Sequence, residues 1–590
     1  MRWNTQTRIL IASGFVGLLF TGFSARLIHL GVAKHDEYSR LAAQKNSIRK
    51  TIYARRGLIT DRNGEILADN TPVSTAFVDG SHVKDPHAVA TVVAPFLEMN
   101  VEELEAKIAD AVANDRKYVV LRREVPARVE FECKAALEQK DLRGIYFDAD
   151  SKRVHPNGSL LAHVVGFLNH ERRGIQGIEL SMEDYLRGQD GFRHTERDRR
   201  GQEIVVYRGQ ERAPRDGLNV QLTIDMGLQS IVEDELDQAV AELKPETAVA
   251  VMLDPGTGEV LAMASRPHFE PDAIGDAQPE QMKNRAIIDM VEPGSTFKIV
   301  VAGAALNEGI INTETKINCE GGRFAYGGKI LKDHHGYGLL TVHDILKKSS
   351  NIGSAKMALM MGGDTFYEYV KRFGFGERTG IELPGEIAGL VHPPPRWDKL
   401  TITRMPMGHS VAATPLQITS AMGVIANGGK LMAPHIVKSL SDSSGKTIRE
   451  FQPTVVREVI NPQTAEIINR ALMDVVGPGG TARLAAGAGF SVAGKTGTAE
   501  KVNPKGGYFS GKYVVSFVGY MPAEDPAFVC LVLIDNPNLP SNLNYGGLVA
   551  APIFSRIAER AARHLDLRPV MRAESVTEIA SNVREEPAKR

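Results

Sequence analysis

The sequence predicts an α+β protein with an N-terminal transmembrane helix, a mixed α/β domain and a larger domain in which helices pack on an antiparallel sheet. Three features predict this class. One uncharged apolar segment lies near the N-terminus, at residues 9–25. Apolar strand patterns occur at 248–265 and again between 492 and 534, and the stretch between them is mostly helical. Strands from both ends of such a segment are expected to pair as one antiparallel sheet that the helices cover.

The composition is that of a folded protein without a strong charge bias. The chain has 590 residues, of which 43% are hydrophobic and 24% charged, with 70 Lys and Arg against 71 Asp and Glu. These values argue against disorder and do not favour nucleic acid as a partner. The cysteines Cys133, Cys319 and Cys530 form no CxxC pair, so we expect unpaired buried thiols rather than a disulfide framework or a metal site. The sequence indicates no cofactor.

The N-terminal apolar segment predicts a membrane anchor. Residues 9–25 carry no charge, and 17 residues are at the short end of the range for a spanning helix. The apolar pattern continues to Leu30 if the side chain of Arg26 reaches towards the lipid headgroups. We therefore expect one helix that crosses the membrane once.

The flanking charges predict the orientation of this anchor. Arg2 and Arg8 precede it without an acidic residue, so the N-terminus should stay in the cytoplasm and the rest should be exported across the membrane. The alternative is a cleaved signal peptide, with Gly22 and Ser24 as small residues at the cleavage site.

Residues 34–220 predict a non-catalytic domain, because they contain no recognisable nucleophile–base set. The charged segment 34–56 has the spacing of a helix leaving the membrane. Residues 55–70 predict a hairpin closed by a type I′ turn at Asn63-Gly64. A helix is expected at Val101–Val112.

A change of pattern after residue 220 predicts a second domain at 221–567, followed by a mobile polar tail at 568–590. The anchor and cytoplasmic tip take up 1–33. The elements expected in the second domain are a helix at Gly227–Leu243, paired strands within Ala248–Ser265, strands at Val492–Gly494, Tyr513–Gly519 and Phe528–Ile534, and a helix at Ala550–His564.

The chemistry begins with a Ser-x-x-Lys pattern, which occurs four times and is weak by itself. Ser295 differs from the other three because it follows Pro293-Gly294 and opens an apolar helix that should stop near Gly309. On a helix, Lys298 lies one turn beyond Ser295. A lysine can take a proton from serine only if it is neutral, and burial next to a second cation is an adequate cause of that state.

Two further motifs supply the rest of such a site. Ser349-Ser350-Asn351 and Lys495-Thr496-Gly497 are the only Ser-x-Asn and Lys-Thr-Gly in the chain, and they follow Ser295 in that order. The second lies at the start of a strand pattern, where Gly497 would let a substrate approach the backbone. Singly, each motif is more simply a helix cap or a strand-edge lysine. Together they predict one nucleophilic site.

This set of motifs resembles that of the penicillin-recognising serine enzymes. The chain is similar over almost its whole length to class B penicillin-binding proteins, in segments such as RGLITDRNGEILA (56–68), GIQGIELSMEDYLRGQDG (174–191), VAGKTGTAEK (492–501) and YGGLVAAPIF (545–554). Its length and single anchor most resemble the division-specific, FtsI-type transpeptidases. One departure is Val291, which stands where an aromatic residue is expected.

The resemblance implies a role for each site residue. Ser295 would attack a D-Ala-D-Ala stem peptide of peptidoglycan and form an acyl-enzyme, and Lys298 would take the serine proton. Ser349 would relay a proton to the leaving amine, with Lys495 tuning it. Asn351 would position Lys298 and the substrate amide.

The resemblance also implies a binding set and partners. Lys495, Thr496 and Thr498 would bind the substrate carboxylate, with Gly497 between them. The backbone N–H groups of Ser295 and Thr498 would form the oxyanion hole. β-Lactams would trap Ser295, and an FtsW-type glycan polymerase and other division proteins would be partners.

Several alternatives remain open on sequence alone. A D,D-carboxypeptidase, a β-lactam hydrolase or a β-lactam sensor would share the three motifs, and so would a transpeptidase of side-wall elongation. A division scaffold with a vestigial site is a further alternative, which the intact motif set disfavours. Glu386 could act as a deacylating base in a hydrolase, and His334-His335 as metal ligands, but both are more simply structural.

Overall fold

The computed structural model describes residues 4–38, 47–197, 203–487, 489–503 and 505–569, so the predicted tail lies almost wholly outside the described residues. The strands are β1 Ser47–Ile52, β2 Ile59–Thr60, β3 Ile66–Val78, β4 Val119–Pro126, β5 Ile145–Val154, β6 Gly191–Arg197, β7 Glu203–Arg212, β8 Asn219–Leu222, β9 Thr247–Leu253, β10 Val260–Arg266, β11 Ile317–Asn318, β12 Arg323–Tyr326, β13 Lys329–Lys332, β14 Leu339–Leu340, β15 Leu390–Val391, β16 Val411–Ala412, β17 Lys430–Met432, β18 Val437–Ser441, β19 Thr447–Glu450, β20 Val455–Glu458, β21 Ala493–Val502, β22 Tyr508–Met521 and β23 Phe528–Asp535.

The α-helices are α1 Thr5–Ile28, α2 Pro86–Leu97, α3 Val101–Ala113, α4 Ala127–Gln139, α5 Ala162–Val165, α6 Gly177–Ser181, α7 Glu183–Leu186, α8 Met226–Leu243, α9 Arg285–Ile288, α10 Lys298–Asn307, α11 Val342–Lys348, α12 Asn351–Met361, α13 Gly363–Arg372, α14 Thr401–Arg404, α15 Pro415–Ala426, α16 Pro462–Val476 and α17 Gly546–His564.

The predicted anchor is helical, and its helix runs through Arg26. Helix α1 continues through a π-helical turn, so that Thr5–Ala33 forms one span of 29 residues, and an 18-residue window within it has a mean hydropathy of 1.6. Its apolar side chains are exposed rather than packed on the protein. In the described residues it is the one helix long and apolar enough to cross a membrane.

The chain forms two compact units. The first contains residues 1–55, 72–152 and 188–217. In it, the second half of β3 pairs with β4, and a small core unites α2, α3 and α4. The predicted helix at Val101–Val112 is confirmed as α3.

The charged segment 34–56 was expected to be helical, and this is wrong for its second part. Residues 47–52 form strand β1, which pairs antiparallel with β6, and β6 pairs with β7. The cause is visible in the residues Ile48, Thr51 and Ile52, because β-branched side chains favour strands and lose rotamer freedom in helices. Residues 39–46 lie outside the described part of the chain.

The second unit contains residues 56–71, 153–187 and 218–590, so it includes two segments from the first half of the sequence. An ion cluster joins these segments: Glu179 is fully buried, and its carboxylate accepts hydrogen bonds from Arg56 and Arg153, each at 2.6 Å. Burial lowers the pKa of Arg153, against the opposing effect of Glu179. Removing one partner would leave an uncompensated buried charge, so the cluster holds the segments in one arrangement. The predicted domain boundaries stay predictions.

The predicted hairpin at 55–70 is present in this unit as β2 and β3, but its turn is not type I′. That turn needs positive φ at both central residues, and of the pair only Gly64 has it, at 91°. The carboxylate of Asp61 instead accepts hydrogen bonds from the backbone N–H groups of Asn63 and Glu65 at 2.7 and 2.9 Å. An aspartate that bonds its own backbone in this way replaces the tighter turn.

The main sheet has the order β10-β9-β23-β22-β21 and is antiparallel throughout, as predicted. Alternate residues of β9 enter different cores: Ala248, Ala250 and Met252 face one cluster, and Val249 and Val251 the other. Both faces are therefore covered, which explains why this strand is apolar without alternation. Helices α8 and α17 pack on each other and on the sheet, and α15 packs on β9 and β23.

Candidate active site

Ser295 lies in a 3-10 turn, Gly294–Phe297, that leads directly into helix α10. The sequence predicted that Ser295 itself opens an α-helix, whereas the α-helix begins at Lys298. The pair still lies one turn apart. Ser295 is partly exposed, and Lys298 is fully buried although it carries an amine. A partly exposed serine is thus followed, one turn later, by a fully buried lysine.

The buried amine of Lys298 has three hydrogen-bond acceptors from the Ser-Ser-Asn motif. Its Nζ donates to the backbone oxygen of Ser349 at 2.5 Å, to Ser349 Oγ at 3.1 Å and to Asn351 Oδ1 at 2.8 Å. These bonds satisfy a polar group that would otherwise be costly to bury. The structure therefore brings the first two predicted motifs into direct contact.

Ser349 stands between two helices in an unusual backbone conformation. It is the C-cap of α11 and has φ 58°, in the left-handed region that non-glycine residues seldom adopt. Ser350 then caps α12, where its Oγ accepts a hydrogen bond from Gly353 N at 3.0 Å. The simple interpretation of this motif as a helix cap is thus correct for Ser350, and it leaves Ser349 directed at the two lysines.

The Lys-Thr-Gly motif lies in β21, the outermost strand of the main sheet, as the strand pattern predicted. Lys495 is also fully buried, and its Nζ donates to Ser349 Oγ at 3.0 Å. The hydroxyl of Ser349 is therefore contacted by two lysines, one from the Ser-x-x-Lys motif and one from the Lys-Thr-Gly motif. All three predicted motifs meet at this one oxygen.

The two threonines of β21, Thr496 and Thr498, contact groups outside the strand. Thr496 Oγ1 lies 3.3 Å from Thr481 Oγ1, and Thr498 Oγ1 accepts a hydrogen bond from Gly546 N at 3.1 Å, at the start of α17. Thr481 has no motif of its own in the sequence, so its position beside Thr496 was not predicted.

The structure requires glycine at position 497 for a different reason from the predicted approach of a substrate. A Cβ at this position would lie 2.4 Å from Ser516 Oγ and 2.9 Å from the backbone oxygen of Pro293. The protein's own atoms, rather than a substrate, thus require glycine. Gly408 behaves in the same way, since a Cβ there would lie 2.1 Å from the backbone oxygen of Gly294. At both positions, the absence of a side chain lets the backbone approach the turn before Ser295 closely.

The two lysines alter each other's charge state. Burial, and then the positive charge of Lys495, hold the pKa of Lys298 well below its ordinary value, while Asp333 acts in the opposite direction. Burial lowers the pKa of Lys495 to about 7. Two adjacent ammonium groups in a site of low dielectric would repel strongly, so the pair gives up a proton readily. A neutral amine one turn from Ser295 has the charge state that a general base for a serine hydroxyl needs.

Glu292 fixes the turn that carries Ser295. Its carboxylate accepts hydrogen bonds from Ser410 N at 2.9 Å and from the Tyr508 hydroxyl at 3.0 Å, and it contacts His409 Nδ1 at 2.9 Å. Tyr508 begins β22, so this cluster ties the β21–β22 hairpin to the turn. Sequence reasoning missed Glu292, and only its position three residues before Ser295 could have suggested it. Val291, the departure noted above, pairs with Ala413 in an isolated bridge.

The remaining candidates have structural partners. The carboxylate of Glu386 accepts hydrogen bonds from Thr379 N and Gly380 N at 2.7 and 3.0 Å. The ring of His334 lies edge-on to that of Tyr545, with centroids 6.1 Å apart. Across the described ranges, no group of three or more His, Cys, Asp or Glu side chains could hold a metal ion. The three cysteines are buried and unpaired, as predicted.

Two family models match this chain. The penicillin-binding protein transpeptidase domain matches residues 248–559, and the penicillin-binding protein dimerisation domain matches residues 51–222. The first match covers the site and the main sheet, and the second covers the segments that precede them.

Individual relatives match along most of the chain. It is 34% identical to stage V sporulation protein D of Bacillus subtilis over 96% of this chain and 87% of that protein. It is 32% identical to peptidoglycan D,D-transpeptidase FtsI of Escherichia coli over 95% of this chain and 92% of that protein. Penicillin-binding protein 3 of Mycobacterium tuberculosis, solved with aztreonam, superposes with a TM-score of 0.68 at 28% identity, over 88% of this chain and 98% of that one.

These matches cover most of the chain, and they include the three motifs that meet at Ser349. The chain belongs to the class B penicillin-binding proteins and is of the FtsI type.

Proposed function

We propose that this protein is a peptidoglycan D,D-transpeptidase that works through an acyl-enzyme on Ser295. The observation that carries the proposal is the fully buried Lys298, which lies one turn from Ser295 and whose amine contacts Ser349 and Asn351. A buried lysine with a lowered pKa is a base at neutral pH. The relatives named peptidoglycan D,D-transpeptidase support the substrate class.

In the acylation step, neutral Lys298 removes the hydroxyl proton of Ser295. The serine oxygen bonds to the carbonyl carbon of the penultimate D-Ala of a stem peptide, and the carbonyl oxygen becomes negative. The backbone N–H groups of Ser295 and Thr498 stabilise that oxygen. Ser295 lies in the first turn of a helix, where backbone N–H groups are unpaired, which supports this assignment.

In the collapse of the intermediate, the bond to the terminal D-Ala breaks. Ser349 donates its proton to the leaving amine and is replenished from Lys298 or Lys495, both of which hydrogen bond to its Oγ. The terminal carboxylate binds at Lys495, Thr496 and Thr498. Gly497 keeps that strand tight against the turn.

In the second step an amine of a neighbouring stem peptide attacks the ester carbonyl. It loses a proton to the site as the new amide forms, and Ser295 regains its proton. Water in place of the amine would make the protein a carboxypeptidase or a β-lactam hydrolase. These two outcomes use the same groups, so the lifetime of the acyl-enzyme distinguishes them.

The cellular setting is part of the proposal. We place the N-terminus in the cytoplasm and the catalytic unit outside the cytoplasmic membrane, because Arg2 and Arg8 precede the apolar helix without acidic residues. Septal wall synthesis, with an FtsW-type glycan polymerase and other division proteins as partners, is proposed from the similarity to FtsI. Localisation of a fluorescent fusion at mid-cell supports this setting, and a uniform side-wall signal contradicts it.

The acyl-enzyme is tested by labelling the membrane fraction with a fluorescent penicillin. We expect the wild type to form a covalent adduct that persists through a chase with unlabelled penicillin, and Ser295→Ala to form none. Ser443→Ala is the matched control, since Ser443 belongs to another Ser-x-x-Lys sequence but lies exposed in a turn. It should label like the wild type.

The outcomes separate the alternatives. An adduct that disappears within seconds identifies a hydrolase, and labelling that survives in Ser295→Ala refutes the site. A folded wild type that never labels would indicate a scaffold without activity. Cross-linking of purified lipid-linked peptidoglycan precursors by the wild type, and its loss in Ser295→Ala, completes the test.

A further inference from the structure

Asp333 lies directly after β13 and binds the segment that carries Ser349 and Asn351. Its Oδ1 accepts hydrogen bonds from Asn351 N at 2.5 Å and Ile352 N at 3.0 Å, and its Oδ2 accepts one from Ser350 Oγ at 2.6 Å. One carboxylate thus holds three consecutive residues at the start of α12.

These contacts fix the direction of Asn351. Its backbone N–H is bound by Asp333, and its side-chain Nδ2 donates to the backbone oxygen of Lys332 at 3.1 Å. With the amide nitrogen held in this way, the amide oxygen is left to accept the bond from Lys298 at 2.8 Å. The end of β13 therefore determines which atom of Asn351 faces the buried lysine.

The same anchoring supports Ser349. A non-glycine residue with φ 58° is sparsely populated and persists only where its surroundings hold it. Helix α11 ends at Lys348 on one side, and the three residues bound by Asp333 follow on the other. The left-handed residue is consequently clamped at both ends.

Asp333 also brings a negative charge to the site. The groups that act on the Lys298 amine are Lys495 from β21, which disfavours its charged form, and Asp333, which favours it. The pKa of His334, next to Asp333, is lowered first by burial and then by the charges of Lys298 and Lys495. The anchor of the Ser-Ser-Asn segment thus opposes the neutralisation of Lys298.

We propose that Asp333 is a positioning residue for acylation, which holds Ser349 and Asn351 in their reactive arrangement. The inference rests on the proposed function. It predicts that the hydrogen bonds of Asp333, which depend on the shape of its side chain, favour acylation, whereas its negative charge restricts acylation at low pH. Loss of the shape slows the reaction, and loss of the charge alone extends it to lower pH.

The shape is tested with Asp333→Ala, which removes all three bonds. Hydrogen bonds to a charged group each contribute enough that their loss should slow acylation by fluorescent penicillin about 10-fold or more at every pH. Thermal melting reports whether the variant folds. If Asp333→Ala does not fold, the charge variant below decides the matter.

The charge is tested with Asp333→Asn, which keeps an oxygen for the two backbone N–H groups and loses the negative charge. Because neutral Lys298 is the reactive form, a lower lysine pKa moves the acid side of the acylation pH profile to lower pH. The matched control is Asp474→Asn, which removes a carboxylate that pairs with His343 of α11 but does not contact residues 349–351. Its pH profile should coincide with that of the wild type.

The results distinguish this inference from the proposed function. If wild type labels through Ser295 and Asp333→Asn shifts the acid limb downward, the inference holds. An unmoved or raised acid limb in Asp333→Asn, or a folded Asp333→Ala that acylates at the wild-type rate, overturns the inference and leaves the proposed function intact. A wild type that does not label overturns both.

Discussion

At the scale of single residues, the site depends on two lysines that water does not reach. Lys298 and Lys495 are both fully buried, and both contact the hydroxyl of Ser349. Burial disfavours the ammonium form of each, and the charge of Lys495 further lowers the pKa of Lys298. The protons of such a pair belong to the pair, so the site titrates as a unit.

The charge state predicts how acylation depends on pH. In the proposed mechanism the reactive form of Lys298 is neutral, and the pKa of this lysine is held well below 10.5. The rate should therefore rise with pH and reach its plateau well below the pKa of an ordinary lysine. Stopped-flow acylation with a chromogenic β-lactam between pH 5 and 10 measures this profile, and a rate still climbing steadily near pH 10 would contradict it.

Lys298→Arg tests the base directly. Arginine keeps the positive charge and much of the length, but its guanidinium has too high a pKa to become neutral in a protein. General-base catalysis typically contributes about 10²- to 10⁴-fold, and we expect acylation to fall by that order. Lys446→Arg, in the exposed turn that also contains Ser443, is the control and should acylate normally.

At the scale of elements, the site depends on the close approach of strand β21 to the turn Gly294–Phe297, with glycines where the two meet. Gly497 in β21 faces Pro293 and Ser516, and Gly294 packs beside Thr498. The sheet edge and the start of α10 are thereby held at contact distance. The geometry of the site is a property of this packing as much as of the reactive groups.

Gly497→Ala tests that packing. The new methyl would lie 2.4 Å from Ser516 Oγ and 3.2 Å from Thr296 Cγ2, so the strand must move from the turn. Overpacking typically costs about 1–3 kcal/mol, and we expect a lower melting temperature and slower acylation. Gly423→Ala is the control, because it lies in α15 with no atom within 4 Å of its Cβ. Equal behaviour of the two variants would contradict the close-packing argument.

At the scale of the whole molecule, the anchor and the catalytic unit are separable in their packing. None of the side chains of α1 is buried against the protein. Removing residues 1–33 therefore breaks no core contact in the described structure. The anchor supplies location rather than folding free energy.

This separation predicts the behaviour of a chain that begins at residue 34. We expect it to stay in solution without detergent, to keep its melting temperature and to acylate at the wild-type rate. Size-exclusion chromatography and the fluorescent-penicillin assay measure both properties. A truncated protein that folds but acylates several-fold more slowly would show that α1 contributes to the site.

Much of this architecture follows from local sequence signals. The antiparallel sheet was predicted because its strands are strongly apolar. The site was predicted because Ser295, Lys298, Ser349, Asn351 and Lys495 belong to three short motifs, of which the last two occur once in the chain. Such signals depend only on neighbouring residues, which is why they can be recognised without coordinates.

The rest depends on contacts between distant residues. Asp333 and Glu292 have no motif, and their importance appears only when the chain brings them to Asn351 and Ser410. The turn at Asn63-Gly64 was mistaken because the side chain of Asp61 outweighed the usual preference of that pair. Strand β1 was mistaken because the spacing of its charges was taken for that of a helix, although its β-branched residues favour the strand that pairs with β6.

The strand order also determines when the enzyme first becomes reactive during its synthesis. Strand β9, at residues 247–253, has β23, at residues 528–535, as its partner on one side, and Lys495 lies in β21 between them in sequence. Ser295 and Lys298 are thus made long before the strands that complete their surroundings. Non-local pairing forms slowly because the connecting chain must be ordered first. In the proposed orientation and mechanism, the nascent chain therefore crosses the membrane with an unactivated serine, and its reactivity towards wall precursors or β-lactams arises only when nearly the last residues have emerged.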